Sequence, residues 1–255
     1  MNEQQRQSLP GDATETVIDP YATQKTAAAR AAVADIPDGA VIGLGSGTTA
    51  EAMLRELAAR MQQGLRVTGV PTSERTARIA ASLGIPLAGL DDVPALTASI
   101  DGADEVLLPQ LHLIKGRGGA LLREKLIAAA SQYRIIIADS RKLVSALGGT
   151  YAVPVEIIPF GWRHIAARLA SLGCQTTLRM AQAMPAGATP GPYITDSGNY
   201  ILDCHLPAGA LAQPEAVAAA IKSVVGVVEH GLFLAMTERV FVAGTDGVQV
   251  YDRPR

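Results

Sequence analysis

Apolar residues fall along this chain in short clusters, separated by longer stretches with helical spacing. Residues 40–44 (AVIGL), 65–70, 96–100 (LTASI) and 134–138 (RIIIA) are mainly apolar segments of strand length and read as buried strands. Between them, the Ala-rich segment 22–36 reads as a helix stopped by Pro37 and Gly39, and 51–61, 73–83 and the stretch carrying Glu124 also read as helices. Strand alternating with helix predicts an α/β fold with a Rossmann-like parallel sheet wrapped on both faces.

The pattern changes after Gly148. Strands are expected at 153–157, 175–180, 193–195 and 200–204, with helices at 161–171 and 214–223, which predicts a smaller α+β (ferredoxin-like) second domain. The runs 240–244 and 247–251, joined across Thr245-Asp246-Gly247, read as a hairpin returning to the first sheet. The domain reading is therefore a flexible tail over 1–21, a Rossmann-like domain over 22–148 and 231–255, and the α+β domain over 149–230. No internal repeat interrupts it.

With 255 residues, 48% hydrophobic and 18% charged, the chain is globular. A net charge of −2 without any basic run argues against a nucleic-acid partner. No apolar run approaches the roughly 20 residues that span a bilayer, so no membrane partner is expected. The first 20 residues lack the apolar core of a signal peptide. Cys174 and Cys204 have neither CxxC spacing nor metal-ligand neighbours and read as core residues of a reduced, cytoplasmic protein.

Candidate chemistry concentrates in residues 99–125, SIDGADEVLLPQLHLIKGRGGALLREK. Asp101 and Asp104 are read on a tight Asp-Gly turn after a strand, Lys115 in a Gly-rich turn, and Glu124 in the first turns of a helix. Earlier, Gly43–Thr49 forms a strand–loop–helix junction rich in Gly, Ser and Thr, where backbone N–H groups and the hydroxyls of Ser46, Thr48 and Thr49 can meet a phosphate. It is neither a P-loop nor a full dinucleotide fingerprint. Ligands of parallel α/β sheets sit at the carboxyl ends of the strands, so this loop, Asp101 and Asp139 are expected to share one crevice. Asp101 and Asp104 alone do not make the oxygen-rich cage of a divalent cation, and no metal is expected. His112, His164, His205 and His230 are scattered and read as structural or surface residues.

Together, GLGSGTTA, SIDGADEV, LIKGRGGALLREK, IADSRK and PVEIIP, in that order, resemble the type A ribose-5-phosphate isomerase family from about Lys25 to Tyr251. The resemblance implies interconversion of ribose 5-phosphate and ribulose 5-phosphate through an enediol(ate), in the non-oxidative branch of the pentose phosphate pathway. It also implies no cofactor and a homodimer or tetramer. By position, Glu124 matches the catalytic base, and Asp101, Asp104 and Lys115 the polar residues around the reacting end of the sugar. Ser46, Gly47, Thr48 and Thr49 match the phosphate loop, Lys25 and Lys142 further substrate-binding lysines, and Gly102, Ala103, Gly116, Arg117 and Gly118 the remaining lining. Arg117 stands where the family often has glycine. On this reading Glu124 moves the proton between C1 and C2, Lys115 and the glycine-turn N–H groups stabilise the oxyanion, and Asp101 or Asp104 opens the sugar ring.

Two other classes of function, a sensor and a related enzyme, fit parts of the pattern. A sugar-phosphate sensor would keep the phosphate loop, but it usually carries a helix-turn-helix, for which the N-terminal segment is too short and too acidic. An amino-sugar phosphate deaminase or a CoA transferase shares the architecture, but the deaminase calls for a catalytic His beside carboxylates, which the sequence lacks.

Overall fold

The computed structural model describes residues 19–181 and 190–254. Its first part alternates as read: α1 (Ala22–Ala34), β1 (Ala40–Leu44), α2 (Gly47–Gln62), β2 (Val67–Pro71), α3 (Glu74–Ser82) and β3 (Leu96–Gly102). Then come β4 (Glu105–Leu107), β5 (His112–Ile114), α4 (Leu121–Ala130), β6 (Ser131–Asp139) and β7 (Leu143–Val144). The α+β part contains β8 (Val153–Ile157), α5 (Trp162–Ala170), β9 (Gln175–Leu178), β10 (Tyr200–His205), α6 (Pro214–Lys222) and β11 (Val227–His230). The chain closes with β12 (Leu232–Phe233), β13 (Arg239–Gly244) and β14 (Gly247–Asp252).

Six strands form the main sheet in the order β14-β13-β6-β3-β1-β2, parallel except for the β14 edge. Period-two alternation divides β6 between two cores. Ile135 and Ile137 face the helical layer of α1, α2 and α3 with Ala28, Val33, Leu57 and Ala80, while Ile136 and Ala138 face Val106, Leu113 and Phe233. That second face is covered by a small sheet, β12-β5-β4-β7, and by α4, whose Ile127 packs with Val70 and Leu96. The small sheet was not legible in sequence, because strands of two or three residues are too short to show alternation.

The α+β part is a βαββαβ unit with sheet order β11-β8-β10-β9, antiparallel throughout, the ferredoxin-like arrangement expected. Its core joins Val155, Ile157, Leu169, Leu202 and Ile221 with Cys174 and Cys204, both buried free thiols. The crossing back to the main sheet is tight: Gly231 donates to Pro154 O (2.7 Å) and accepts from the Lys115 N–H (2.9 Å). A Cβ at Gly231 would overlap Lys115 O.

Three local readings are corrected. Asp101-Gly102 is not a turn but the end of β3, paired in register with Ile136 and Ile137 of β6. Residues 193–195 form no strand; Thr195 opens a turn closed by Gly198 N→Thr195 O at 2.9 Å. Of the tail, residues 1–18 lie outside the described residues, and 19–21 are bonded to the body: Asp19 pairs with Lys25 at 2.6 Å and Tyr21 lies under Arg141.

Candidate active site

The carboxyl ends of β1 and β3 meet where β1 gives way to α2. Gly45 N donates to Ile100 O (3.0 Å), and a Cβ on Gly45 would overlap Asp101, so only glycine allows this approach. Asp101 Oδ1 accepts from the backbone N–H of Gly102 (2.7 Å) and Ser46 (3.1 Å). Its Oδ2 meets Lys115 Nζ at 2.9 Å. Lys115, delivered by the end of β5, also donates to Gly102 O (2.6 Å) and lies 3.2 Å from Glu124 Oε2. Glu124 comes from the first turns of α4, as expected, and is only 5% exposed. Its Oε2 has contact with the ammonium but completes no hydrogen bond.

Burial sets the titration of this pair. It pushes the Glu124 carboxyl up to about 8, with Lys115 pulling the other way and the Asp101 charge adding to the rise. Burial alone would lower Lys115, but the charges of Asp101 and Glu124 outweigh it and hold the amine above the ordinary lysine range. The result is a lasting ammonium beside a carboxyl whose proton affinity lies close to neutral pH, the condition under which a carboxylate works as a general base.

These groups form one wall of a cleft of about 430 Å³ lined by Lys25, Ser46–Thr49, Gly102–Asp104, Lys115–Gly118, Glu124 and Lys142. The cleft gathers the sequence-derived candidates apart from two carboxylates, Asp139 and Asp101; the latter sits behind Lys115, off the lining. Asp104 does line it, and its Oδ2 accepts from the Arg117 N–H at 3.0 Å. The N-terminus of α2 also lines the cleft beside Lys25, whose Nζ donates to Thr48 Oγ1 at 2.7 Å. Backbone N–H groups and cations at a helix start make an anion site. Ser46 lines the cleft, and its hydroxyl is bonded within a hydroxyl cluster with Thr72 (2.6 Å), Ser73 (3.0 Å) and Thr76 (3.2 Å).

Asp139 is also not in the cleft. It is fully buried and holds Arg141 at 2.9 Å, and Arg141 in turn lines the cleft with its guanidinium over Tyr21. Arg141 and Tyr151 were missed as lining residues. Arg141 stood within the quoted IADSRK; Tyr151 had no signal, being a lone aromatic in a loop. That loop is secured by Glu105, whose buried carboxylate accepts from the N–H groups of Gly148 (2.6 Å), Thr150 (2.9 Å) and Tyr151 (2.9 Å). Among the described residues no cluster of three His, Cys, Asp or Glu could hold a metal ion, and no helix is long and apolar enough to cross a membrane.

The sequence profile of ribose 5-phosphate isomerase A (phosphoriboisomerase A) matches residues 68–247. This chain belongs to the ribose 5-phosphate isomerase A family. Relatives named ribose-5-phosphate isomerase A share 50% identity in Synechococcus sp. (strain JA-3-3Ab), covering 88% of this chain and 95% of that one, and 49% in Gloeobacter violaceus, covering 89% and 94%. The ribose 5-phosphate isomerase A structure from Methanocaldococcus jannaschii superposes with TM-score 0.84 at 34% identity, covering 91% of this chain and 99% of that one. A D-ribose-5-phosphate isomerase in complex with phospho-erythronic acid gives TM-score 0.85 at 37% identity, covering 91% and 98%. The family resemblance carried by DGADEV and KGRGGALLREK, and the two-part α/β fold it implied, are borne out.

Proposed function

We propose that this protein interconverts D-ribose 5-phosphate and D-ribulose 5-phosphate without a cofactor, with Glu124 as the general base. The observation that carries the reading is the buried Glu124–Lys115–Asp101 cluster beside a cleft whose lining also includes a cationic helix start. The phosphate binds at the N-terminus of α2 with Lys25, Thr48 and Lys142. The open-chain aldehyde then lies towards Lys115. Glu124 removes the C2 proton, the electron pair forms the C1–C2 double bond, and the charge that develops on O1 is met by the Lys115 ammonium. The O2 proton then passes to O1, and return of the carbon-bound proton from Glu124 to C1, as the O2 electrons form the C2=O bond, completes the ketose.

Asp104 lines the cleft and takes the ring-opening role; Asp101, with both oxygens engaged, orients Lys115. The free buried thiols support a reducing, cytoplasmic setting. An apolar edge at Ile158, Phe160 (90% exposed) and Val225 (93% exposed) supports a homodimer. The separate core of the α+β part supports the division into 22–148 with 231–255, and 149–230.

The test is conversion of ribose 5-phosphate by pure protein in EDTA, with Glu124→Gln alongside. The reading expects rapid turnover by the wild type and a loss of about 10²-fold or more in the variant. Tight sugar-phosphate binding without turnover in the wild type refutes it.

A further inference from the structure

The carbonyls of the turn that follows Lys115 are held by residues that do not line the cleft. Arg179, just beyond β9, donates through Nη1 to two successive carbonyls, Gly116 O (2.9 Å) and Arg117 O (3.0 Å). Its Nε donates to Asp203 Oδ2 at 3.0 Å and its Nη2 to Asp203 Oδ1, a two-pronged brace from β10. The Arg179 backbone is equally fixed, with N→Ile201 O at 2.9 Å and O accepting from Tyr193 N at 2.8 Å. Tyr193 then reaches Gly118 O with its hydroxyl (3.4 Å).

In a trans peptide the C=O and the N–H that follows it point in opposite directions. Pulling Gly116 O towards Arg179 therefore aims the Arg117 N–H at the cleft, and that N–H is found on the cleft-lining carboxylate of Asp104. Pulling Arg117 O to the same guanidinium aims the Gly118 N–H to the same side. Among the described residues the Gly118 N–H has no acceptor, while the Gly119 N–H is taken by Gly116 O at 3.0 Å. Gly118 is exposed on the cleft wall.

We propose that Arg179, braced by Asp203, is a positioning residue that aims the Gly118 N–H into the cleft as a donor to the substrate oxygen that gains charge. The inference rests on the isomerase reading and extends it to the α+β part of the chain. Arg179 touches no substrate; its effect passes through the peptide it holds. Lysine cannot replace it fully, because one ammonium cannot span both carbonyls and the carboxylate.

The experiment measures kcat and KM for ribose 5-phosphate with wild type, Arg179→Gln, Arg179→Lys and Asp203→Asn, together with the affinities for phospho-erythronic acid and inorganic phosphate. Misplacing one preorganised donor predicts a fall in kcat of about 10- to 100-fold in Arg179→Gln, with KM within about threefold. Arg179→Lys falls between it and the wild type. Affinity for phospho-erythronic acid, a sugar-acid phosphate whose carboxylate carries negative charge as the enediolate does, falls in parallel with kcat, and affinity for inorganic phosphate does not. A folded Arg179→Gln with unchanged kcat overturns the inference, as does an equal loss of both affinities. If Arg179→Gln fails to fold, Asp203→Asn decides. It leaves the carbonyl contacts possible but unbraced, and predicts a fall of about 3- to 10-fold in kcat; an unchanged kcat overturns the inference. A wild type that does not turn over ribose 5-phosphate refutes the isomerase reading instead, so the two failures are distinct.

Discussion

Glu124→Gln should stabilise the protein at alkaline pH while abolishing its activity. In the folded chain the Glu124 carboxyl is pushed from an ordinary 4.5 up to about 8, chiefly by burial. That interval of about 3.5 pH units, at about 1.4 kcal/mol per unit, sets a ceiling of about 5 kcal/mol on what ionising Glu124 costs the fold. Below pH 4.5 the group is protonated in both folded and unfolded chains and brings no penalty. Between 4.5 and about 8 the unfolded chain releases the proton and the folded chain keeps it, so the wild type loses stability as pH rises. Glutamine has the same shape, keeps an acceptor for Lys115 and never ionises. The stability difference between variant and wild type should therefore grow in favour of Gln across this window and level off above it. Urea denaturation at half-unit intervals from pH 5 to pH 9 reads this directly. A difference that is constant with pH refutes the reasoning, as does one that moves towards the wild type, which would mean the ionised Glu124–Lys115 pair is a net stabiliser.

Other perturbations separate the remaining parts of the site. Lys25→Met removes the cation beside Thr48 and should raise KM for ribose 5-phosphate about 10- to 100-fold with kcat nearly unchanged; a fall in kcat at constant KM in steady-state assays contradicts the phosphate placement. Glu105→Ala strands three N–H groups in the 148–151 loop and should cost about 3 kcal/mol in chemical denaturation. A cost within about 0.5 kcal/mol removes Glu105 as the anchor of that loop. Gly45→Ala forces Asp101 or the end of β1 to move, and should both destabilise by about 2 kcal/mol or more and lower kcat; melting and turnover at wild-type levels would show that the junction is slack.

Much of the fold was legible because its strands are apolar on both faces. A run such as Arg134–Ala138 has no alternative as an exposed element, and β6 does divide its side chains between two cores. The βαββαβ unit was readable from strand and helix order alone. The third sheet was not, since β7 and β12 span two residues each and exist only through their partners. Asp101-Gly102 misled for a related reason: the pair favours turns locally, but pairing with β6 extends β3 through it. In the site, residue types announced Glu124, Lys115 and Asp104, yet direction was invisible. Nothing in GLGSGTT tells that Ser46 turns inward to Thr72 while Thr48 stays with Lys25. Arg179 and Asp203 lie far along the chain in an unremarkable strand pair, and only the fold brings them to the lysine turn.

The central claim, that Glu124 moves a proton between C2 and C1 through an enediolate, is tested most directly by running the reaction in deuterium oxide. Nuclear magnetic resonance of the ribulose 5-phosphate formed, and of the ribose 5-phosphate left at equilibrium, reports where solvent deuterium enters. The account predicts deuterium at C1 of the ketose and C2 of the aldose with wild-type protein, and loss of both exchange and isomerisation in Glu124→Gln. Isomerisation without any deuterium at either carbon, or exchange at the wild-type rate in Glu124→Gln, would contradict it.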